Sequence, residues 1–321
     1  MGDLFMRAYV LEGFDVPPKM IEMPTPEVGA GDVLVRVHAS SVNPHDAHVI
    51  SGSARQYMEY RFPVILGSDV AGTVEEVGVS VTRFARGDRV FGLIREPILH
   101  RGPFAEFVAI PADRFVVSQP ANLGDLDAGS LGLASAAALA CLDAVAPSRG
   151  TTLLINGATG GVGSCAVEIA AALGVCVIAT ARAGDEERHV RELGATDVVD
   201  WSAGDVGVLA RDLHPAGIDC VIDLVNHEPA AFARLATTAL RSGGRAASTL
   251  QAGEAPPGSE IEIANIVATA ELATLERIAE LAAAETLHGH VKHVFAFEEI
   301  EAALAALAAG AVGKIALRMA D

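Results

Sequence analysis

The run Ile155-Asn156-Gly157-Ala158-Thr159-Gly160-Gly161-Val162-Gly163-Ser164 closes an apolar stretch and opens a segment with apolar residues at Val162, Ala166, Ile169, Ala170 and Leu173. This is a strand, a tight turn and a helix in the order that phosphate binding needs. Glycines here let the backbone turn sharply, approach a pyrophosphate within hydrogen-bonding reach, and hold the helix close on the strand, while open N–H groups at the helix start supply positive potential. Gly157, Ala158, Thr159, Gly160, Gly161, Val162 and Gly163 are therefore candidate dinucleotide-binding residues. An acid holding the ribose hydroxyls of NAD is expected about 20 residues further on, at the end of the second strand. The chain reads Thr180-Ala181-Arg182 there. With no acid at the strand end and a guanidinium at hand, this reading favours NADP, bound as NADPH. The plainer alternative is that Arg182 is a solvated surface residue beside Asp185 and Glu186.

The turn requires a particular frame around it. Residues 1–120 read as short strands at 6–10, 32–39, 68–77, 89–93 and 105–110, punctuated by Gly and Pro, in the manner of a mostly antiparallel barrel. Between 131 and 146 an Ala/Leu-rich helical run intervenes. Strands at 152–156, 176–181, 197–200, 220–224 and 244–249 then alternate with helices at 161–173, 185–193, 203–213 and 229–240, the signature of a parallel sheet. A Gly/Pro-rich loop over 251–259 precedes an apolar strand at 261–268 and an amphipathic helix at 272–285. The last segments, a strand at 291–297, a helix at 297–309 and a strand at 314–319, find no place in a completed parallel unit and are expected to return to the first domain. The predicted fold class is α/β: a Rossmann-type doubly wound parallel sheet over 123–270, and a discontinuous barrel-like domain from 1–122 with 271–321.

Composition narrows the partners. A chain of 321 residues with 51% hydrophobic content has room for two cores, and one Trp and three Tyr suit helices packed on a parallel sheet better than an aromatic-cored sandwich. The formal net charge of −18 repels polyphosphate backbones, so neither nucleic acid nor an anionic membrane is an expected partner. No uninterrupted apolar stretch of membrane-spanning length is read from the sequence, and the first 13 residues lack the order of a signal peptide, so a cytoplasmic protein is expected. Cys141, Cys165, Cys176 and Cys220 stand too far apart for a paired-thiolate metal site or a disulfide framework.

Taken together, Ser41-Val42-Asn43-Pro44-His45-Asp46, Leu66-Gly67-Ser68-Asp69-Val70-Ala71-Gly72, Gly87-Asp88-Arg89-Val90, Gly102-Pro103-Phe104-Ala105-Glu106-Phe107, the glycine-rich turn, Glu192-Leu193-Gly194-Ala195, Gly243-Gly244-Arg245 and Gly313-Lys314 resemble the zinc-free quinone oxidoreductase branch of the medium-chain dehydrogenase/reductase superfamily. The resemblance runs over nearly the whole chain. It implies a GroES-like catalytic domain, a Rossmann domain, a nicotinamide cofactor between them, and commonly a homodimer. Zinc-dependent relatives carry a Cys in the segment matching residues 41–46 and a Gly-His-Glu matching 67–69. Here the thiolate is missing and Ser68-Asp69 replaces the His-Glu pair, so no zinc is expected.

Zinc-free chemistry suits acceptors that are already electrophilic. A quinone or an α,β-unsaturated carbonyl takes hydride at carbon and delocalises the resulting charge, leaving alignment and hydrogen bonding to the protein. The resemblance places the residue matching Asn43 beside the nicotinamide, although Asn before Pro44 also reads as a turn residue. His48 stands where this branch often has Tyr, as a candidate donor to a developing oxyanion or as a bystander on the wall. Tyr57 is the next candidate, ahead of Tyr60. Asn226 and Thr249, at strand ends, are candidate nicotinamide contacts and equally candidate caps. His288, His290 and His293 are read as surface residues. An NADPH-dependent quinone or enone reductase leads the functional readings; an enoyl-thioester reductase follows, and then a redox-inactive NADPH sensor or nucleic-acid binder.

Overall fold

The computed structural model describes residues 5–255 and 258–319. They divide into two compact units, one built from the chain up to Leu133 together with the chain from Thr269 onward, the other from Ala134–Ala268.

In the second unit, strands Thr152–Asn156, Cys176–Thr180, Asp197–Val199, Ile218–Asp223, Leu240–Ser248 and Glu262–Asn265 form one parallel sheet. Counted along this unit, their spatial order is third, second, first, fourth, fifth, sixth. Such an order reverses direction between the first and fourth strands, and open α/β sheets hold ligands beyond the carboxyl ends of the strands at that reversal. Helices Gly161–Ala172, Asp185–Glu192, Val206–Leu213 and Pro229–Ala239 make the connections. Leu154, Ile178, Val221, Phe232 and Ala236 pack into one buried cluster, which explains why these strands read as unbroken apolar runs. Truncating a buried ring such as Phe232 to Ala costs about 3–5 kcal/mol.

Several expected boundaries shift, two of them for a visible local reason. The helix expected from 203 begins at Val206 because the Asp205 side chain accepts from the Val208 N–H and caps it. The strand expected over 261–268 is confined to Glu262–Asn265, because its partner strand ends at Ser248, whose carbonyl accepts the Ile266 N–H at 2.8 Å. Of the expected loop at 251–259, Pro256 and Pro257 lie outside the described residues.

In the first unit, strands Val116–Ser118, Arg89–Leu93, Asp69–Val77, Asp32–Ser41, Lys314–Arg318 and Val291–Ala296 follow one another across a sheet, with Phe107–Pro111 also paired to Asp32–Ser41. All neighbours are antiparallel except the last pair. A smaller sheet sets Phe5–Leu11 between Lys19–Pro24 and Val64–Ile65. Lys19–Pro24 escaped the sequence reading because none of its residues is buried and it lacks the apolar alternation that marks a half-buried strand. Leu11, Val35, Val70, Phe104, Ile110 and Phe297 are central to the buried core of this unit.

The helix Asp125–Val145 corrects one expectation. At 21 residues it is long and apolar enough to cross a bilayer, and 78% of its most apolar window is buried inside the molecule. That burial accounts for the composition without a membrane.

Candidate functional site

In the parallel unit, the strand Thr152–Asn156 ends in the glycine-rich turn and the helix Gly161–Ala172 begins. Gly157 sits at φ +88°, a left-handed conformation that side chains resist. A Cβ on Gly163 would lie 2.2 Å from the Gly157 carbonyl oxygen, so the helix reaches its place against the turn only with glycine there. A Cβ on Gly160, by contrast, would have no neighbour nearer than 3.7 Å. Gly160 is the N-cap and no side chain caps the helix, so its first N–H groups keep their capacity for an outside acceptor. A closed fold behind an open backbone edge fits the pyrophosphate of a dinucleotide. Thr180 braces this edge, its hydroxyl accepting the Gly157 N–H at 2.9 Å.

Asp223, fully buried at the end of the fourth strand, ties the neighbouring strand ends together. It accepts from Asn156 Nδ2 at 2.9 Å and from Asn226 Nδ2 at 2.8 Å, and the backbone N–H groups of Val225 and Asn226 point to the same carboxylate. Asn226 is thus fixed at the rim of the sheet reversal. Thr249 follows directly on the strand Leu240–Ser248 and is half-buried.

Arg182 lies where the sequence places it, beyond the second strand, but it is not free. Glu186 accepts from its Nε at 2.8 Å and from its Nη2 at 2.5 Å, and also from its backbone N–H. The guanidinium stands 5.1 Å from the Trp201 ring centroid, and Trp201 Nε1 donates to the same carboxylate. Any 2′-phosphate here shares Arg182 with Glu186.

The antiparallel unit contributes a different kind of site. The chain leaves the strand Asp32–Ser41 through Asn43, which caps the helix Pro44–Ile50. Lys314 begins the strand that pairs with the end of Asp32–Ser41, so residues 271 positions apart come into contact. Lys314 Nζ donates to Asn43 Oδ1 at 2.6 Å and stands 3.4 Å from Asp69 Oδ2. Asn43 Nδ2 donates to Asp69 Oδ2 at 2.9 Å and to the Ser41 carbonyl at 3.2 Å. Ser41 Oγ donates to Asp69 Oδ2, and the Leu133 N–H donates to Asp69 Oδ1 at 2.6 Å. An ammonium only donates and a carboxylate only accepts, so this cage also fixes which way the Asn43 amide faces. All of these side chains are buried.

Asp46 closes the network. Its Oδ2 accepts the Asn43 N–H at 2.7 Å. Burial raises its pKa from 3.8 to about 7, with the nearby Asp69 pushing the same way while the Asn43 N–H and Lys314 oppose it. Beside it His45 is lowered from 6.5 to about 4, chiefly by burial and then by Arg95 and His48, so its ring is neutral at pH 7. Both residues border a small pocket that Val49, Met58, Leu66 and Ile94 line with apolar surface and Arg95, Glu96 and Arg101 with charge.

The other sequence candidates sit outside this pocket. His48 is exposed on the helix, its Nδ1 at 3.0 Å from Ser53 Oγ. Tyr57 is 61% exposed, and Tyr60 Oη is engaged by the Val49 carbonyl at 3.0 Å. Asp46, Asp69, Lys314 and Arg95 were assigned no role from sequence. A lysine opening a strand whose next three residues, Ile315, Ala316 and Leu317, are apolar was the one available sign of the first three. Ile94-Arg95-Glu96-Pro97 reads as an ordinary charged turn and gave none for Arg95.

Among the described residues, one trio brings metal-ligating atoms within 4.8 Å of one another: Cys176, Asp197 and His214. These lie at the starts of two parallel strands and the end of a helix, at the opposite end of the strands from the glycine turn, and His214 Nε2 already contacts Asp197 Oδ2 at 3.1 Å.

Comparison with known proteins bears on both units. Residues 29–121 match the family model of the alcohol dehydrogenase GroES-like domain, and residues 161–269 that of the zinc-binding dehydrogenase. The chain is 32% identical over 231 residues to a quinone oxidoreductase of Rattus norvegicus, covering 70% of this chain and 68% of the relative. It is 32% identical over 217 residues to a chloroplast envelope quinone oxidoreductase homologue of Arabidopsis thaliana, covering 65% of this chain but only 64% of the relative. Its fold is similar to the solved structure of the quinone oxidoreductase from Coxiella burnetii, with 25% identity, a TM-score of 0.84, and coverage of 98% of this chain and 99% of that one.

Proposed function

This chain belongs to the medium-chain dehydrogenase/reductase superfamily, in its quinone oxidoreductase branch, and from that premise we propose that it is an NADPH-dependent oxidoreductase reducing quinones or α,β-unsaturated carbonyl compounds. The observation carrying this reading is the open backbone edge at Gly157–Gly163, set where the strand order reverses. The nicotinamide, when bound, supplies the hydride. The chain's own residues bind, align and manage the proton.

Backbone N–H groups at the start of Gly161–Ala172 hold the pyrophosphate. Arg182 meets the 2′-phosphate in competition with Glu186, so the preference for NADPH over NADH is modest. Asn43 is locked between Lys314 and Asp69, which fixes the orientation of its amide. Asp46, near 7, is the group of this pocket that exchanges a proton around neutrality, on the oxygen that Asn43 does not engage. His45 stays neutral, and His48 and Tyr57 are too exposed to serve here.

The reaction runs without zinc in this reading. Asp69 is already saturated by Ser41, Asn43, Leu133 and the Lys314 ammonium, and a divalent cation would have to displace that ammonium from a buried site that offers no imidazole or thiolate. A carboxylate so engaged does not fit a metal. A homodimer through the strand Glu262–Asn265, which ends the parallel sheet and pairs on one side only, completes the proposal. NADPH oxidation with a small quinone and a small enone, before and after exhaustive chelation, tests the reading. Turnover that survives chelation supports it. Turnover of neither acceptor, or activity lost together with a tightly held zinc, overturns it, and a concentration-independent monomer by light scattering removes the dimer.

A further inference from the structure

At the far end of the strands from the glycine turn, three side chains that the proposed reaction does not use converge from three different elements. Cys176 opens the second strand of the parallel sheet, Asp197 opens the third, and His214 follows directly on the helix Val206–Leu213. Ile178 pairs with Asp197 in parallel register and Cys176 lies two residues before Ile178, so all three share one face of the sheet. Ile178 packs there with Ala210, and that face therefore carries the helix that delivers His214. The backbone fixes each position. The Cys176 N–H donates to the Thr151 carbonyl and the Thr196 N–H to the Val177 carbonyl, both at 2.8 Å, and the His214 N–H donates to the Ala210 carbonyl at 3.1 Å. One ligating atom from each of Cys176, Asp197 and His214 lies within 4.8 Å of the other two.

We propose that Cys176, Asp197 and His214 bind one Zn²⁺, with water as the fourth ligand. A thiolate, an imidazole and a carboxylate make a mixed set that suits zinc and not Mg²⁺ or Ca²⁺, which prefer oxygen alone. His214 Nε2 and Asp197 Oδ2, 3.1 Å apart, already stand near the separation of about 3.5 Å that neighbouring donors take on a tetrahedral zinc, and Cys176 has only about 1 Å to close. The Asp197–His214 pair accounts for itself without a metal, but not for the free thiol beside it. Carbonyl dipoles at the end of the helix also favour a cation there. All three side chains are half-buried, which leaves an ion a path from solvent. On binding, Cys176 gives its thiol proton to solvent and the thiolate bonds the metal, with no change of oxidation state. About 13 Å of strand separates Cys176 from Thr180 at the glycine turn, so the ion clamps the foot of the sheet and stays out of hydride transfer.

The test strips the tag-free, reduced protein with a chelator and titrates Zn²⁺ against a chromophoric competitor. One zinc per chain is expected, with Kd about 1 μM or tighter. Cobalt in its place should show tetrahedral visible bands and a thiolate charge-transfer band, which Cys176→Ser abolishes. Cys176→Ser, Asp197→Asn and His214→Gln should each weaken zinc by about 100-fold or more, since loss of a direct ligand costs at least as much as loss of a group behind one. A wild-type readout needs no variant to fold: Cys141, Cys165 and Cys220 are buried, so iodoacetamide labelling of the native protein reports Cys176, and zinc should slow it. Zinc binding unchanged in Cys176→Ser, cobalt without the thiolate band, or labelling at one rate with and without zinc overturns the proposal. Turnover of a quinone with NADPH should be the same before and after stripping. Turnover lost on stripping and restored by zinc would put the ion in the reaction and overturn its placement here.

Discussion

The two halves of this molecule prepare for their ligands in opposite ways. Around Gly157–Gly163 the parallel unit removes side chains and offers bare backbone, so its selectivity for a phosphate comes from N–H direction and helix potential. Around Asn43 the antiparallel unit concentrates charge, burying Lys314 and Asp69 where each is tolerable only because the other is present. A backbone site fails by crowding. A charge cage fails by losing one member.

Crowding should give the largest effect. Gly163→Ala sets a methyl 2.2 Å from the Gly157 carbonyl oxygen, and we expect loss of measurable NADPH binding by fluorescence titration. Asp69→Asn, in the other unit, should keep NADPH binding and lose turnover; equal binding loss in both variants would dissolve the contrast. Next in size is Lys314→Met, which leaves Asp69 buried without its cation and should lower unfolding free energy by about 3–5 kcal/mol in urea titrations. Adding Asp69→Asn to that variant should recover part of the loss, and strict additivity would show that the two residues do not act as a pair.

A smaller effect follows from Asp46. Its pKa is raised from 3.8 to about 7 in the folded protein, so folding favours its neutral form. Its contribution to stability is therefore complete below pH 4 and is lost as pH rises through 7, by at most about 4 kcal/mol. His45, lowered to about 4, works oppositely and loses stability as pH falls below 6.5. Subtracting the stability profile of Asp46→Asn from that of the wild type isolates the first slope, and a flat difference between pH 4 and 8 would refute it. The smallest change is expected at Arg182. Glu186→Gln should release the guanidinium and raise NADPH affinity several-fold relative to NADH, whereas Arg182→Ala should cost NADPH only modestly. Parallel shifts for both cofactors would remove Arg182 from the 2′-phosphate.

The same contrast explains what could be read from residue order. The glycine turn is local: strand, turn and helix occupy 21 consecutive residues, Thr152–Ala172, and glycine has few other reasons to recur at that spacing. The parallel alternation and the return of the last strands to the first unit were legible for a related reason, since apolar periodicity survives without knowledge of partners. The cage was not legible. Lys314, Asp69 and Asn43 meet through strand register, and the sequence around Lys314 does not say which residues it meets. Arg182 shows the intermediate case: its position was correctly placed, but its pairing four residues on, with Glu186, depended on which way a helix turns after Gly184.

Lys314 also sets the order in which this protein can become functional. A ribosome making the chain releases the Asp32–Ser41 strand and Asp69 long before the lysine that their acidic cluster requires. Until residue 314 emerges, Asp69 and Asp46 face each other without a cation, and the sheet lacks the strand that docks beside Ser41. The glycine turn, complete within its own unit, has no such wait. Nascent chains halted between residues 270 and 313 should thus retain dinucleotide on a resin while remaining protease-sensitive in their first hundred residues, because closing a contact across 271 positions is a late and slow event in folding.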